Sequence, residues 1–81
     1  MKVLVSEAAR TDVRRIGQAE AIRILRSISE FAKTGHADVR ALTGAHAGKL
    51  RLRVGDYRVI FRVGPQHTML VLRVLHRGGA Y

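Results

Sequence analysis

Lys49, Arg51 and Arg53 alternate with Leu50, Leu52 and Val54, so an extended chain here carries cations on one side and apolar groups on the other. After Gly55-Asp56 the device is repeated by Arg58 and Arg62, in a second run from Tyr57 to Val63. Guanidinium and ammonium groups set in rows bind phosphate oxygens, the lysine as a point charge and the arginine as a two-pronged fork. The whole chain holds 15 Lys and Arg against 6 Asp and Glu, a formal net charge of +9. Such a balance favours a polyanionic partner: RNA, DNA or a strongly acidic protein. A membrane surface is not expected, because the charge falls on strands rather than on a basic amphipathic helix with aromatic anchors.

Other chemistries are poorly supplied. There is no cysteine, hence no disulfide framework, zinc-thiolate site or thiol nucleophile. His36 and His46 fall in a long loop and His67 in a turn, and the histidine spacing fits no metal site, so no cofactor is expected. His76, next to Arg77, is the one histidine placed for a catalytic role. The opening Met-Lys-Val-Leu-Val run is too short for a signal peptide or membrane span, and a cytoplasmic location is expected. With 47% hydrophobic residues, one proline and no linker or repeat, residues 1–81 read as a single domain with one small core.

The elements that must position the cations can be read from the periodicity. Lys2 to Val5 reads as a first strand. Ser6 stands at an N-cap with Glu7 in the first turn, opening a helix to about Ile16 that carries Ala9, Val13 and Ile16 on one stripe. Gly17 ends or bends it. In the second helix Ala21, Ile24, Leu25, Ile28, Phe31 and Ala32 recur at helical spacing and are expected in the core, with Gly35 as the stop. Residues 35–47 read as a connection, with at most a turn of helix around Val39 to Leu42. Strands are expected at Gly48–Val54, Tyr57–Val63 and Thr68–His76. The fold class is therefore α+β: β-α-α-β-β-β, two N-terminal helices packed on a mainly antiparallel four-stranded sheet.

A two-residue Gly55-Asp56 turn sets the register. Val54 then faces Tyr57, Leu52 faces Val59 and Leu50 faces Phe61, while Arg53 meets Arg58, Arg51 meets Ile60 and Lys49 meets Arg62. Two of those last pairs oppose like charges, at a cost of roughly 0.2–1 kcal/mol each, unless an anion fills the gap. In the last strand Leu70, Leu72 and Val74 fit the core parity; Met69, Val71, Arg73 and Leu75 take the other. The cationic face thereby gains Arg73 and Arg77 and an apolar floor of Ile60, Val71 and Leu75. Phosphates would meet the cations and bases the floor, with Arg53, Arg62 and Arg73 as RNA-binding residues.

The run GKLRLRVGDYRVIFRV, followed by VLRVLHRGGAY and preceded by two helices, resembles the RelE/ParE superfamily of toxins from type II toxin–antitoxin modules, closest to its RelE-like branch. The resemblance spans essentially the whole chain and implies the same β-α-α-β-β-β order. It implies a toxin neutralised by a cognate antitoxin that wraps around it, with the complex binding operator DNA through the antitoxin. RelE-like members cleave messenger RNA in the ribosomal A site without a metal; ParE-like members inhibit DNA gyrase.

Carried over by motif, the RelE-like catalytic positions are Lys49, Arg51, Arg58, Arg77 and Tyr81. Attack of a ribose 2′-OH on the adjacent phosphate builds negative charge on the phosphorane and on the leaving 5′ oxygen. The resemblance implies that Arg58, Arg77 and Arg51 stabilise that charge, that Lys49 helps ionise the 2′-OH and that Tyr81 stacks on a base. Arg51 departs from the pattern, since relatives often carry lysine there, and the tail is short and glycine-rich. The reading is a ribosome-dependent, metal-independent endoribonuclease whose partners are the antitoxin, the ribosome and messenger RNA. A gyrase-binding toxin and a catalytically silent basic module are the alternatives.

Overall fold

Ser6 turns the chain from its first strand into its first helix, and its hydroxyl works in both directions. In the computed structural model, which describes residues 1–79, Ser6 Oγ accepts a hydrogen bond from the Ala9 N–H (3.1 Å) and donates one to the Leu72 carbonyl (2.8 Å). The N-cap is thereby tied to the far end of the sequence. Ser6→Ala is expected to lower stability by about 1–2 kcal/mol, read as a shift of the denaturation midpoint, with Ser6→Thr recovering most of it.

Strand β1 is Lys2–Val5, helix α1 Glu7–Arg14 and helix α2 Gln18–Thr34. Gly17 caps the start of α2, and Gly35 ends it in a left-handed conformation (φ 72°), donating its N–H to the Phe31 carbonyl. The remaining strands are β2 (Val39–Ala41), β3 (Leu50–Val54), β4 (Tyr57–Gly64) and β5 (Thr68–His76). Single 3₁₀ turns lie at Gly44–His46 and Arg77–Gly79. The sheet runs β1-β5-β4-β3-β2, with β1 parallel to β5 and every other pair antiparallel. Both helices cover one face. Their Ala9, Ile24, Ile28 and Phe31 pack on Leu52, Val54, Val59, Phe61, Met69, Val71 and Val74. Phe31 and Phe61 meet edge to face, 5.4 Å between ring centroids.

Three expectations need correction. The sheet has five strands, because Val39–Ala41 pairs with β3 (Val39↔Leu52, Arg40↔Arg51, Ala41↔Leu50) instead of forming a loop or a turn of helix. Three residues are too few to show a period; the hydrogen bonds of β3 and the packing of Val39 on the core make this strand. Leu25 is 47% exposed, because the core-facing stripe of α2 is confined to Ile24, Ile28, Phe31 and Ala32. Leu25 lies about 100° round the helix from Ile24 and joins exposed Ile22 on the flank.

The third correction concerns β5. Ile60 pairs with Arg73 but Phe61 pairs with Val71, so Leu72 is an extra residue opposite no partner. This bulge reverses the parity of the strand. Met69 and Val71 are buried in the helix-side core together with Val74, and Leu70 and Leu72 are not. Val71 therefore leaves the expected apolar floor of the open face.

Candidate functional site

The hairpin β3–β4 has the expected register: Val54↔Tyr57, Leu52↔Val59, Leu50↔Phe61, Arg53↔Arg58 and Arg51↔Ile60. Gly55 takes φ 58° at the first turn position while Asp56 has no positive φ, the pattern of a II′ turn and a requirement that glycine meets without strain. The expected Lys49–Arg62 pair lies outside this ladder, since β3 begins at Leu50; the Lys49 carbonyl instead accepts the Leu42 N–H (2.9 Å).

On the face that the helices leave open, Ile60 is only 1% exposed. Its register neighbours are Arg51 on β3 and Arg73 on β5, whose long stems are placed to cover it. Around it the strands gather four of the expected cations at one end of the sheet. Arg53 and Arg58 are opposed across the turn, and Arg51 lies two residues before Arg53. Arg77 is brought in by its backbone, whose N–H donates to the Asp56 carbonyl at 2.7 Å. The hairpin turn thus anchors the segment that follows β5.

Arg58 is the centre of this group. Its Nη1 donates to the carbonyls of Gly55 and Tyr57, both at 3.0 Å, which aims the guanidinium without engaging Nε or Nη2. Desolvation first, then the charges of Arg53, Arg51 and Arg77, press its pKa below the ordinary arginine value, and Asp38 opposes them. An arginine so placed stays protonated at neutral pH, so the crowding is borne as repulsion, which a bound anion would relieve.

The other expected residues are distributed differently. Lys49 precedes β3, and Arg62 lies four residues beyond Arg58, roughly 14 Å along an extended strand. Arg73 is committed to Asp12 of α1, with Nε at 2.7 Å and Nη2 at 2.9 Å from the two carboxylate oxygens. Asp12 also accepts the Val74 N–H at 2.9 Å, just where β5 runs on beyond the end of β1. Arg73 therefore has an architectural task that its sequence position did not reveal. Tyr81 lies outside the described residues. His76 is in register with Tyr57 on the helix side, their rings edge to face at 5.4 Å, and its Nδ1 accepts the Gly78 N–H (3.3 Å).

Sequence reading missed Arg40. It lies on β2, directly opposite Arg51, and adds a further cation to the open face. Asp38, just before it, is also part of the site: its carboxylate lies 3.5 Å from Arg51. The only signal for either was their place within a stretch that looked like a loop. Among the described residues, no group of three His, Cys, Asp or Glu side chains gathers to hold a metal ion, and no helix is long and apolar enough to cross a membrane.

Two helices on one face of a five-stranded sheet, with arginines on the other, make the architecture of RelE- and ParE-type toxins. The chain belongs to the family of ParE toxins of type II toxin–antitoxin systems, whose family model matches residues 3–81. Among solved structures it is similar to the RelBE2 toxin–antitoxin complex of Mycobacterium tuberculosis (24% identity, 94% of this chain and 96% of that one, TM-score 0.82). It is also similar to the archaeal RelE–RelB complex of Pyrococcus horikoshii (25% identity, 98% and 97% covered, TM-score 0.77). The RelB–RelE antitoxin–toxin complex of Methanococcus jannaschii is a third (26% identity, 93% and 91% covered, TM-score 0.74). No curated protein matches the chain at a significant level. The protein is thus a toxin of a type II toxin–antitoxin system.

Proposed function

We propose that this toxin is a ribosome-dependent endoribonuclease that cuts messenger RNA by attack of the ribose 2′-OH on the adjacent phosphate. The observation that carries the reading is the convergence of Arg51, Arg53, Arg58 and Arg77 at one end of the open sheet face. In the step, the O2′–phosphorus bond forms and the phosphorus–O5′ bond breaks, leaving a cyclic phosphate and a 5′ hydroxyl. The charge that builds on the non-bridging oxygens is met by guanidinium donors, of which Arg58 is already aimed by the Gly55 and Tyr57 carbonyls. Lys49, two residues before Arg51 in the chain, takes the 2′ proton as the uncharged amine, and water supplies the proton that the leaving O5′ needs. Arg62 extends the cationic surface along β4 away from the scissile phosphate, and Arg40 widens it on β2 beside Arg51.

A cognate antitoxin is the protein partner, by analogy with the RelB-bound toxins of similar fold. Controlled expression with mapping of messenger 5′ ends tests the activity: cuts in phase with codons, and only on translating ribosomes, are the expected result. A second reading is favoured by the family model, whose namesake is ParE. It makes the same cationic face a docking surface for gyrase. Intact messengers together with gyrase inhibition would replace the first reading by this one.

A further inference from the structure

Among the described residues, three arginine–carboxylate pairs join the sheet to its surroundings, and they are of two kinds. Asp12 and Arg73 are bidentate at 2.7 and 2.9 Å, and the Asp12 side chain is 10% exposed. The other two are loose: Asp38–Arg51 at 3.5 Å and Asp56–Arg77 at 3.7 Å. Charge-assisted N–H···O bonds close to about 2.7–2.9 Å, so the loose pairs are contacts of charge without that bond. Both loose pairs fall on arginines of the cluster around Arg58.

The two carboxylates are placed by their backbones. The Asp38 carbonyl accepts the Arg53 N–H at 3.0 Å, and the Asp56 carbonyl accepts the Arg77 N–H at 2.7 Å. Their side chains remain open to water, 49% and 62% exposed. The chain has only six acidic residues, and Glu7, Asp12, Glu20 and Glu30 lie on the helices. The two that remain, in a molecule of formal charge +9, both touch the arginine cluster.

A carboxylate presents to a guanidinium the same pair of oxygen acceptors as a phosphodiester. The Asp56–Arg77 pair is exposed on both sides and contributes little, and the Asp38–Arg51 pair, whose arginine is only 18% exposed, is held by charge without a short bond, so exchanging one anion for the other costs little. We propose that Asp38 and Asp56 are exchangeable place-holders, each occupying an arginine, Arg51 or Arg77, that in the complex takes a phosphate of a single-stranded RNA. They quiet the repulsion within the cluster while the site is empty. They also hold back indiscriminate polyanion binding, because every phosphate that enters must displace an anion already there. The proposal rests on the reading of this face as an RNA site.

The test is binding of a short, unstructured, fluorescein-labelled RNA to the purified toxin without ribosomes, followed by anisotropy across a salt series. Asp38→Asn and Asp56→Asn keep side-chain size and leave the backbone bonds in place; Asp38→Ala and Asp56→Ala serve as second variants, and thermal unfolding is followed in parallel. Each Asn variant should steepen the log–log salt slope by about 0.7 and the double variant by about 1.4, the increment of one single-strand phosphate contact each. At about 0.1 M salt a slope change of 0.7 corresponds to roughly fivefold tighter binding per substitution, taking 1 M as reference. Unchanged or weaker binding by the folded double variant, with the parent protein binding normally, overturns the proposal. A gain for a charge-matched acidic peptide without one for RNA overturns it as well, by making the site a protein surface. Tighter RNA binding by the variants without messenger cleavage by the parent toxin would sustain the place-holders and remove the nuclease reading.

Discussion

Alanine at Arg58 is expected to reduce ribosome-dependent messenger cleavage by about 10²–10³-fold, the usual loss when one preorganised donor to a developing oxyanion is removed. Arg58 has the strongest claim to that role among the cluster. Its orientation is set before substrate arrives, by the Gly55 and Tyr57 carbonyls, and three further arginine charges act on it. Arg58→Lys keeps a charge but loses the planar fork, so it should restore only a small part of the rate. Because the two bonds to those carbonyls are only partly buried, the loss of fold stability should stay near 1 kcal/mol. Rates measured on purified ribosomes, together with a denaturation curve, separate the two effects. Combining Arg58→Ala with Arg77→Ala should abolish growth arrest on expression. Arrest that persists with both arginines gone would tell against catalysis and in favour of a docking mode of inhibition.

The largest effect on stability is expected at Asp12. Its carboxylate serves three donors, Arg73 Nε, Arg73 Nη2 and the Val74 N–H, along the stretch of β5 that β1 does not reach. Asp12→Ala removes all three bonds, depriving a strand N–H and the Arg73 guanidinium of this carboxylate. A fully buried pair would lose roughly 3–5 kcal/mol on such truncation. Arg73 is 42% exposed and regains water, so about 2–3 kcal/mol is the better figure. For a domain of this size that is a fall of roughly 8–24 °C in melting temperature. Asp12→Asn should fall between, since an amide oxygen can still accept the Val74 N–H.

The same site predicts a pH dependence. The hydrogen bonds from Arg73 hold the Asp12 pKa below its ordinary value; burial acts against them, and the Val74 N–H reinforces them. A depressed carboxyl contributes stability that is fully present above its unfolded-state pKa. That contribution is lost as the pH falls from the ordinary carboxylate range through the lower folded-state value. The parent protein should therefore lose stability below about pH 4, while the difference between it and Asp12→Ala should shrink over the same interval. A difference that stayed constant to low pH would mean that the carboxylate charge is not what binds Arg73.

Much of the architecture was legible because it is written at short range. The alternation from Leu50 to Val54 and the glycine at the first position of the turn, where φ is positive, were enough to place every pair of the β3–β4 ladder. Ser6 announced the first helix and Gly35 ended the second for reasons confined to one turn of chain. The failures share a cause. The strand Val39–Ala41 carries too few residues to show a period, and hiding it hid Arg40 and Asp38. Leu25 has the spacing of a core residue, but which stripe of a helix meets the sheet depends on how the helix is set down.

The bulge at Leu72 shows most clearly where local reading stops. Alternation along Met69–Leu75 is compatible with either parity, because apolar residues stand at almost every position. Pairing with β4, the parallel contact with β1 and the bond from Ser6 to the Leu72 carbonyl select the kinked strand. That kink sends Val71 into the core. Arg73 meanwhile is held by an aspartate 61 positions earlier in the chain.

The sequence by itself determined that a cationic strand face would form, since side-chain period and turn chemistry act between neighbours. Which of those cations meet at one end, which is tied to Asp12 and which two face a carboxylate was decided only by the tertiary structure. Those pairings depend on distances between residues remote in the chain, and such distances exist only once the helices and strands have packed.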